Sequence, residues 1–183
     1  GEFVLSELPI GAEQTLTASL RGYSEGRVPL HVYAQIESSV RVELQRAELV
    51  SLTDPTRGGR VTTDSGVAIE FPPGAIVDVS ETAVNLPVEV AVALIDDRDE
   101  MAAAPGGMLA KDEGSERRIQ LESFGMLDVS LRARGEIVHL REGSAVDLSF
   151  PMAAHHPYDE GDLLDTWFFD TQQNTWKPEA RGV

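Results

Sequence analysis

His155 and His156 are adjacent, and Tyr158, Asp159, Glu160 and Asp162 follow within a few residues. Imidazoles with nearby carboxylates are the donor set of a zinc or related transition-metal centre. Neighbouring side chains of an extended segment point in opposite directions, so both histidines reach one ion only if the chain turns between them. The stretch otherwise reads as a solvated loop between Phe150-Pro151 and the last strands, with His155, His156 and Asp159 as its candidate ligands. A second cluster, Asp96-Asp97-Arg98-Asp99-Glu100, suggests calcium, because a hard cation wants several carboxylate oxygens, here Asp96, Asp97 and Asp99. It lacks the Asp-x-Asp-x-Asp-Gly loop that would specify such a site, and its ordinary reading is a solvated connection after a strand. No cofactor is expected, with calcium as the alternative.

Nucleophilic and hydrolytic chemistry have less to work with. There is no cysteine, no Gly-x-Ser-x-Gly elbow and no His-Glu-x-x-His, while His31 and His139 are isolated within strand-like segments. No catalytic residue is assigned, and the chain is expected not to be an enzyme. The 31 acidic and 15 basic residues leave a net charge of −16, which repels nucleic acid and anionic lipid. No apolar run is long enough to span a bilayer, so neither nucleic-acid binding nor membrane insertion is expected. Arg117-Arg118 and Arg132, Arg134 and Arg141 alternate with Glu116, Glu122, Glu136 and Glu142, a pattern of charge pairing on exposed faces.

The elements that would position these residues are strands. In QTLTASL, Leu16, Ala18 and Leu20 share one face and Thr15, Thr17 and Ser19 the other; Val40, Val42 and Leu44 repeat the pattern. Further strands are expected at Phe3–Leu5, 30–33, 61–63, 66–71, 86–94, 119–121, 124–132, 138–140, 145–150 and 166–169, separated by Gly-, Pro- and Asp-rich turns. Helical period is missing except for one turn at Met101–Ala104, ending at Pro105. The fold class is therefore all-β, antiparallel β-sandwich modules with little or no helix. A Pro/Gly/Asp-rich shift at 51–59 divides the chain into residues 1–50, with too few strands to close a sandwich alone, and residues 51–183. The opening GEFVLSELPIG reads as a processed chain or a piece of something longer.

Four segments carry a resemblance. GVAIEFPPGAIV, APGGML, LESFGMLDVSL and DTWFFDTQQNTWKPEARG follow one another in residues 48–182 in an order that resembles ZU-five-like domains and the related region of cartilage intermediate layer proteins. The residues that carry the likeness are Phe71, Pro72, Gly74, Phe124, Gly125, Trp167, Phe169 and Trp176. The first segment, GEFVLSELPIGAEQTLTASLRGY, resembles part of a carboxypeptidase regulatory-like, prealbumin-type sandwich. The resemblance implies tandem modules of an extracellular or cell-surface protein with structural, adhesive or scaffolding roles, whose partners are proteins or neighbouring modules. Some function-to-find relatives of the ZU-five fold cleave their own chain at Phe-Ser. Here the six phenylalanines are followed by Val4, Pro72, Gly125, Pro151, Phe169 and Asp170, so the hydroxyl nucleophile of that reaction is missing.

Both tryptophans lie in TWFFDTQQNTW, in a chain only 6% aromatic. A ligand platform, for carbohydrate for example, and a core-closing hairpin are the two readings. A hairpin with loop Thr171–Asn174, Asn174 left-handed, sets Phe169 opposite Trp176 and Phe168 opposite Lys177. Trp167, Phe169 and Trp176 then share one face, which favours a core, and Phe168 is left on the other.

Overall fold

The computed structural model describes residues 3–11, 13–34, 36–37, 39–95, 104–111, 117–152 and 156–182. Among the described residues the regular elements are strands, apart from a 3-10 turn at Pro105–Met108. Proline begins that turn, as its fixed φ and missing N–H suit a first helical position; of the turn expected at Met101–Ala104, residues 101–103 lie outside the described residues.

A five-stranded antiparallel sheet forms the middle of the molecule, in the order β3 (Glu48–Leu52), β7 (Val88–Ile95), β10 (Met126–Ala133), β11 (Glu136–Leu140) and β6 (Ile76–Val77). Residue 50 falls within β3, which pairs with β7 along its length. Val88, Val90 and Val92 turn one face of β7 into the principal core. They meet Val61, Ile69 and Phe71 from a three-stranded sheet of β12 (Asp147–Ser149), β5 (Ala68–Phe71) and β4 (Gly59–Thr62). Toward the end of β7 the alternate positions are also covered: Ala93 and Ile95 are 1% and 3% exposed. That part of the strand, buried on both faces, reads as the apolar run VAVALI after Glu89 rather than as polar-apolar alternation.

The opposite face leads to a second core. Ile95 and its register partner Met126 join Ala104, Ala110 and Trp176. Trp176 belongs to a four-stranded sheet ordered β13 (Leu164–Asp170), β14 (Thr175–Gly182), β8 (Leu109–Lys111) and β9 (Arg118–Gln120). The β14–β8 contact is parallel, at Trp176 and Ala110; the other strand pairs are antiparallel.

The segment FPPGAI behaves as its chemistry requires. β5 stops at Phe71, where two prolines remove ladder donors; Gly74 turns the chain at φ +65°, and Ala75 and Ile76 return to the core at 3% and 1% exposure. The Gly74 N–H donates to the carbonyl of Pro55, 3.0 Å away, so this turn is fastened to the Asp54–Gly58 turn.

Residues before β3 form a two-stranded sheet, β1 (Glu13–Ala18) with β2 (Gly26–His31), in register Leu16 to Val28 and Thr15 to Pro29. Two expectations for this region are corrected. Phe3–Leu5 is not a strand: all three residues are exposed and no ladder partner lies beside them among the described residues. Val40, Val42 and Leu44 do alternate between half-buried and exposed neighbours, but they form no ladder. The side chains of Val42 and Leu44 pack over Gly26 instead, where an added Cβ would meet Leu44 Cδ2 at 2.7 Å. Among the described residues the segment's backbone pairing is the bridge between Tyr23 and Arg46, closed by Ser24 N–H to the Gln45 carbonyl at 2.7 Å and Ala47 N–H to the Gly22 carbonyl at 2.8 Å.

Candidate functional site

The aromatic cluster is structural. β13 and β14 pair Phe168 with Lys177, Phe169 with Trp176 and Asp170 with Thr175, the register expected from the loop length, and Asn174 sits at φ +50°. Phe169 and Trp176 meet edge to face with centroids 5.5 Å apart, Trp176 is 7% exposed, and Trp167 and Phe169 pack against the same core. The indole Nε1–H donates to the carbonyl of Pro105 at 2.8 Å, so the hairpin's buried polar atom is satisfied by the 3-10 turn. Phe168 faces outward at 42% exposure. The Lys177 ammonium turns to Asp170, at 2.6 Å, while Asp170 also accepts the N–H groups of Gln172 and Gln173 at 2.8 and 2.9 Å and thereby holds the loop.

Of the candidate metal ligands, His155, Asp96, Asp97 and Asp99 lie outside the described residues. His156 is exposed. Asp159 is engaged in a turn: its N–H donates to Asp162 Oδ2 at 2.8 Å, and the Asp162 N–H returns to the Asp159 carbonyl at 3.1 Å. Among the described residues no three His, Asp or Glu side chains converge as a metal site. Tyr158 instead anchors this loop by stacking edge to face on Phe124, centroids 5.3 Å apart, and Gly125 gives the Phe150 ring room to approach.

The other acidic groups serve the fold in the same manner. Glu48 accepts the N–H groups of Asp64 and Ser65, and the Ser65 hydroxyl with these donors holds its carboxyl below the usual range. Asp54 is held low by the Thr56 hydroxyl, 2.6 Å away, and Glu89 by the Arg21 guanidinium. His139 Nε2 lies 2.9 Å from Glu81 Oε1, linking β11 to the turn after β6. A shallow open depression of about 350 Å³ beside β5 is lined by Arg57, Glu70, Pro72 and Asp147, with Asp147 and Glu70 opposite each other in register.

One carboxyl goes the other way. Asp128 lies on the β10 face turned away from the principal core. Burial pushes its pKa up and the Glu25 carboxylate adds to this, while the Glu25 backbone N–H and Arg27 offset part of the rise. On the same face, Arg21 of the N-terminal part pairs with Glu89 of β7, its Nη2 2.5 Å from Oε2, and Arg132 stands opposite Glu89 in register. The N-terminal hairpin is therefore tied to the sheet by polar contacts.

The apolar residues of its connection and of the segments flanking it are poorly covered. Phe3, Val4, Leu5, Leu8, Ile10, Leu20, Tyr23, Tyr33 and Ile36 are nine of the seventeen exposed large apolar residues described, in about a quarter of the chain. Sequence periodicity finds the half-buried face of β1 but does not reveal this surplus, because exposure depends on what packs from elsewhere. No protein-family model matches the chain, and no curated protein or solved structure matches it.

Proposed function

We propose that the chain is a non-enzymatic structural or adhesive module of an exported or cell-surface protein, joining protein partners or neighbouring modules through strand edges. The observation that carries this reading is the contrast between its two parts. From β3 onward, apolar side chains fill two cores and acidic side chains fasten turns. Before β3, the segments that flank a two-stranded sheet and the connection between its strands leave large apolar side chains in solvent. Two strands bury too little to stand alone, and unpaired edges with apolar flanks are sites where further strands add. Exported adhesive function is also what the resemblance to ZU-five-like and carboxypeptidase regulatory-like modules implies.

The test is surface labelling. An antibody raised against this chain is expected to stain intact producing cells, or the material they export, as strongly as permeabilised cells. Staining that requires permeabilisation overturns the reading.

A further inference from the structure

Pro29 decides which edge of the N-terminal sheet is open. It stands opposite Thr15, and having no N–H it cannot take part in a hydrogen-bonded antiparallel pair. The pairs that exchange hydrogen bonds are therefore Gln14 with Leu30 and Leu16 with Val28, and the N–H and C=O groups of Thr15 and Thr17 point away from β2. Among the described residues neither threonine makes a backbone hydrogen bond beyond the hairpin, and both are exposed. On β2 the outer edge lacks a donor at Pro29, so β1 is the edge that can accept a strand.

We infer that β1 pairs antiparallel with β1 of a second copy of this chain, about a two-fold axis at Leu16, to form a continuous β2-β1-β1-β2 sheet. This rests on the edge-assembly reading above and names its partner. Self-pairing about Leu16 brings Thr15 beside Thr17 as pairs that exchange the outward N–H and C=O groups, and sets Gln14 beside Ala18. No charged residue occurs in the stretch 14–18, so no like charges are apposed. The two Leu16 side chains meet in the closer, non-hydrogen-bonded position, and each already stands opposite Val28, so the apolar row Val28-Leu16-Leu16-Val28 runs unbroken across the sheet. Electrostatics permits the contact at this end of the molecule. Residues 1–47 hold six acidic and four basic residues, a net −2, whereas residues 48–183 carry the remaining −14.

Sedimentation velocity of the full chain tests this, with Thr17→Pro as the first variant, since it removes an outward donor without removing a bond to β2. The wild type is expected to show a concentration-dependent dimer that strengthens between about 50 mM and about 500 mM salt, as the charged remainders are screened. Thr17→Pro should raise the dimer Kd about tenfold or more, with tryptophan emission unchanged. As a second arm, Leu16→Lys and Leu16→Asp should each be monomeric alone and dimeric when mixed. A dimer as tight in Thr17→Pro as in the wild type overturns β1 pairing while leaving assembly through another edge standing. A wild-type monomer at all concentrations and salts overturns the inference, and surface labelling judges the module reading separately.

Discussion

At the scale of single residues, polar side chains in this protein act mostly on the backbone. Glu48, Asp54 and Asp170 each satisfy N–H groups of a turn. Asp128 is the counterexample, a carboxyl taken partly out of water beside another carboxylate. An acid whose folded pKa is raised costs stability above its unfolded pKa, and that cost vanishes below it. Asp128→Asn keeps an oxygen to accept the Glu25 N–H and removes the charge. It should stabilise the fold by on the order of 1 kcal/mol at pH 7 and by nothing near pH 3, as measured by urea unfolding at both values. Asn174 offers a second single-residue test. Its backbone is left-handed, so Asn174→Ala should cost about 1 kcal/mol and Asn174→Gly only a few tenths, read from the thermal midpoint.

At the scale of elements, the turns lock the strands in place. The Asp54–Gly58 turn and the Pro72–Gly74 turn are joined by the Gly74 to Pro55 hydrogen bond, with Pro55 among the fully buried side chains. Gly58 lies where a Cβ would collide with the Phe71 carbonyl oxygen and stand 2.8 Å from Pro72 C, at φ +68°. Neither neighbour is a flexible side-chain end that can swing aside. Gly58→Ala should therefore be among the most damaging small substitutions, at about 3 kcal/mol or more, by combining left-handed strain with a backbone clash. Gly143→Ala, at φ +78° with open space around it, should cost about 1 kcal/mol and serves as the comparison by chemical denaturation.

At the scale of the whole molecule, charge and local contacts pull in opposite directions as pH changes. A net −16 repels itself, and acidification from neutrality relieves that repulsion. Glu48, Asp54, Glu89 and Asp170 have folded pKa values below their ordinary ones. Their stabilisation is present above the ordinary carboxylate range and is lost as pH falls through the depressed values. The melting temperature should thus rise modestly from pH 7 to about pH 5 and drop steeply below about pH 4, by differential scanning calorimetry across that range. A melting temperature that falls steadily from pH 7 downward would contradict this balance.

The sequence by itself determined most of the strands and turns and the closing hairpin. Period-two alternation, Gly and Pro punctuation and a loop of fixed length are local properties, and the register of Phe169 with Trp176 follows from counting residues. Phe71, Pro72 and Gly74 end β5 and turn the chain by local chemistry, because proline's missing donor and glycine's freedom act on their own neighbours. What only the tertiary structure decided is which faces are covered. Val40, Val42 and Leu44 alternate like a paired strand, yet they form no ladder, and Val42 and Leu44 pack over Gly26. Ala93, unremarkable in the sequence, is buried, and Asp128 acquires its raised pKa from burial in the folded chain, to which the carboxylate of Glu25, distant along the chain, adds. Burial and electrostatic environment are sums over residues remote in sequence, and local patterning carries no record of them.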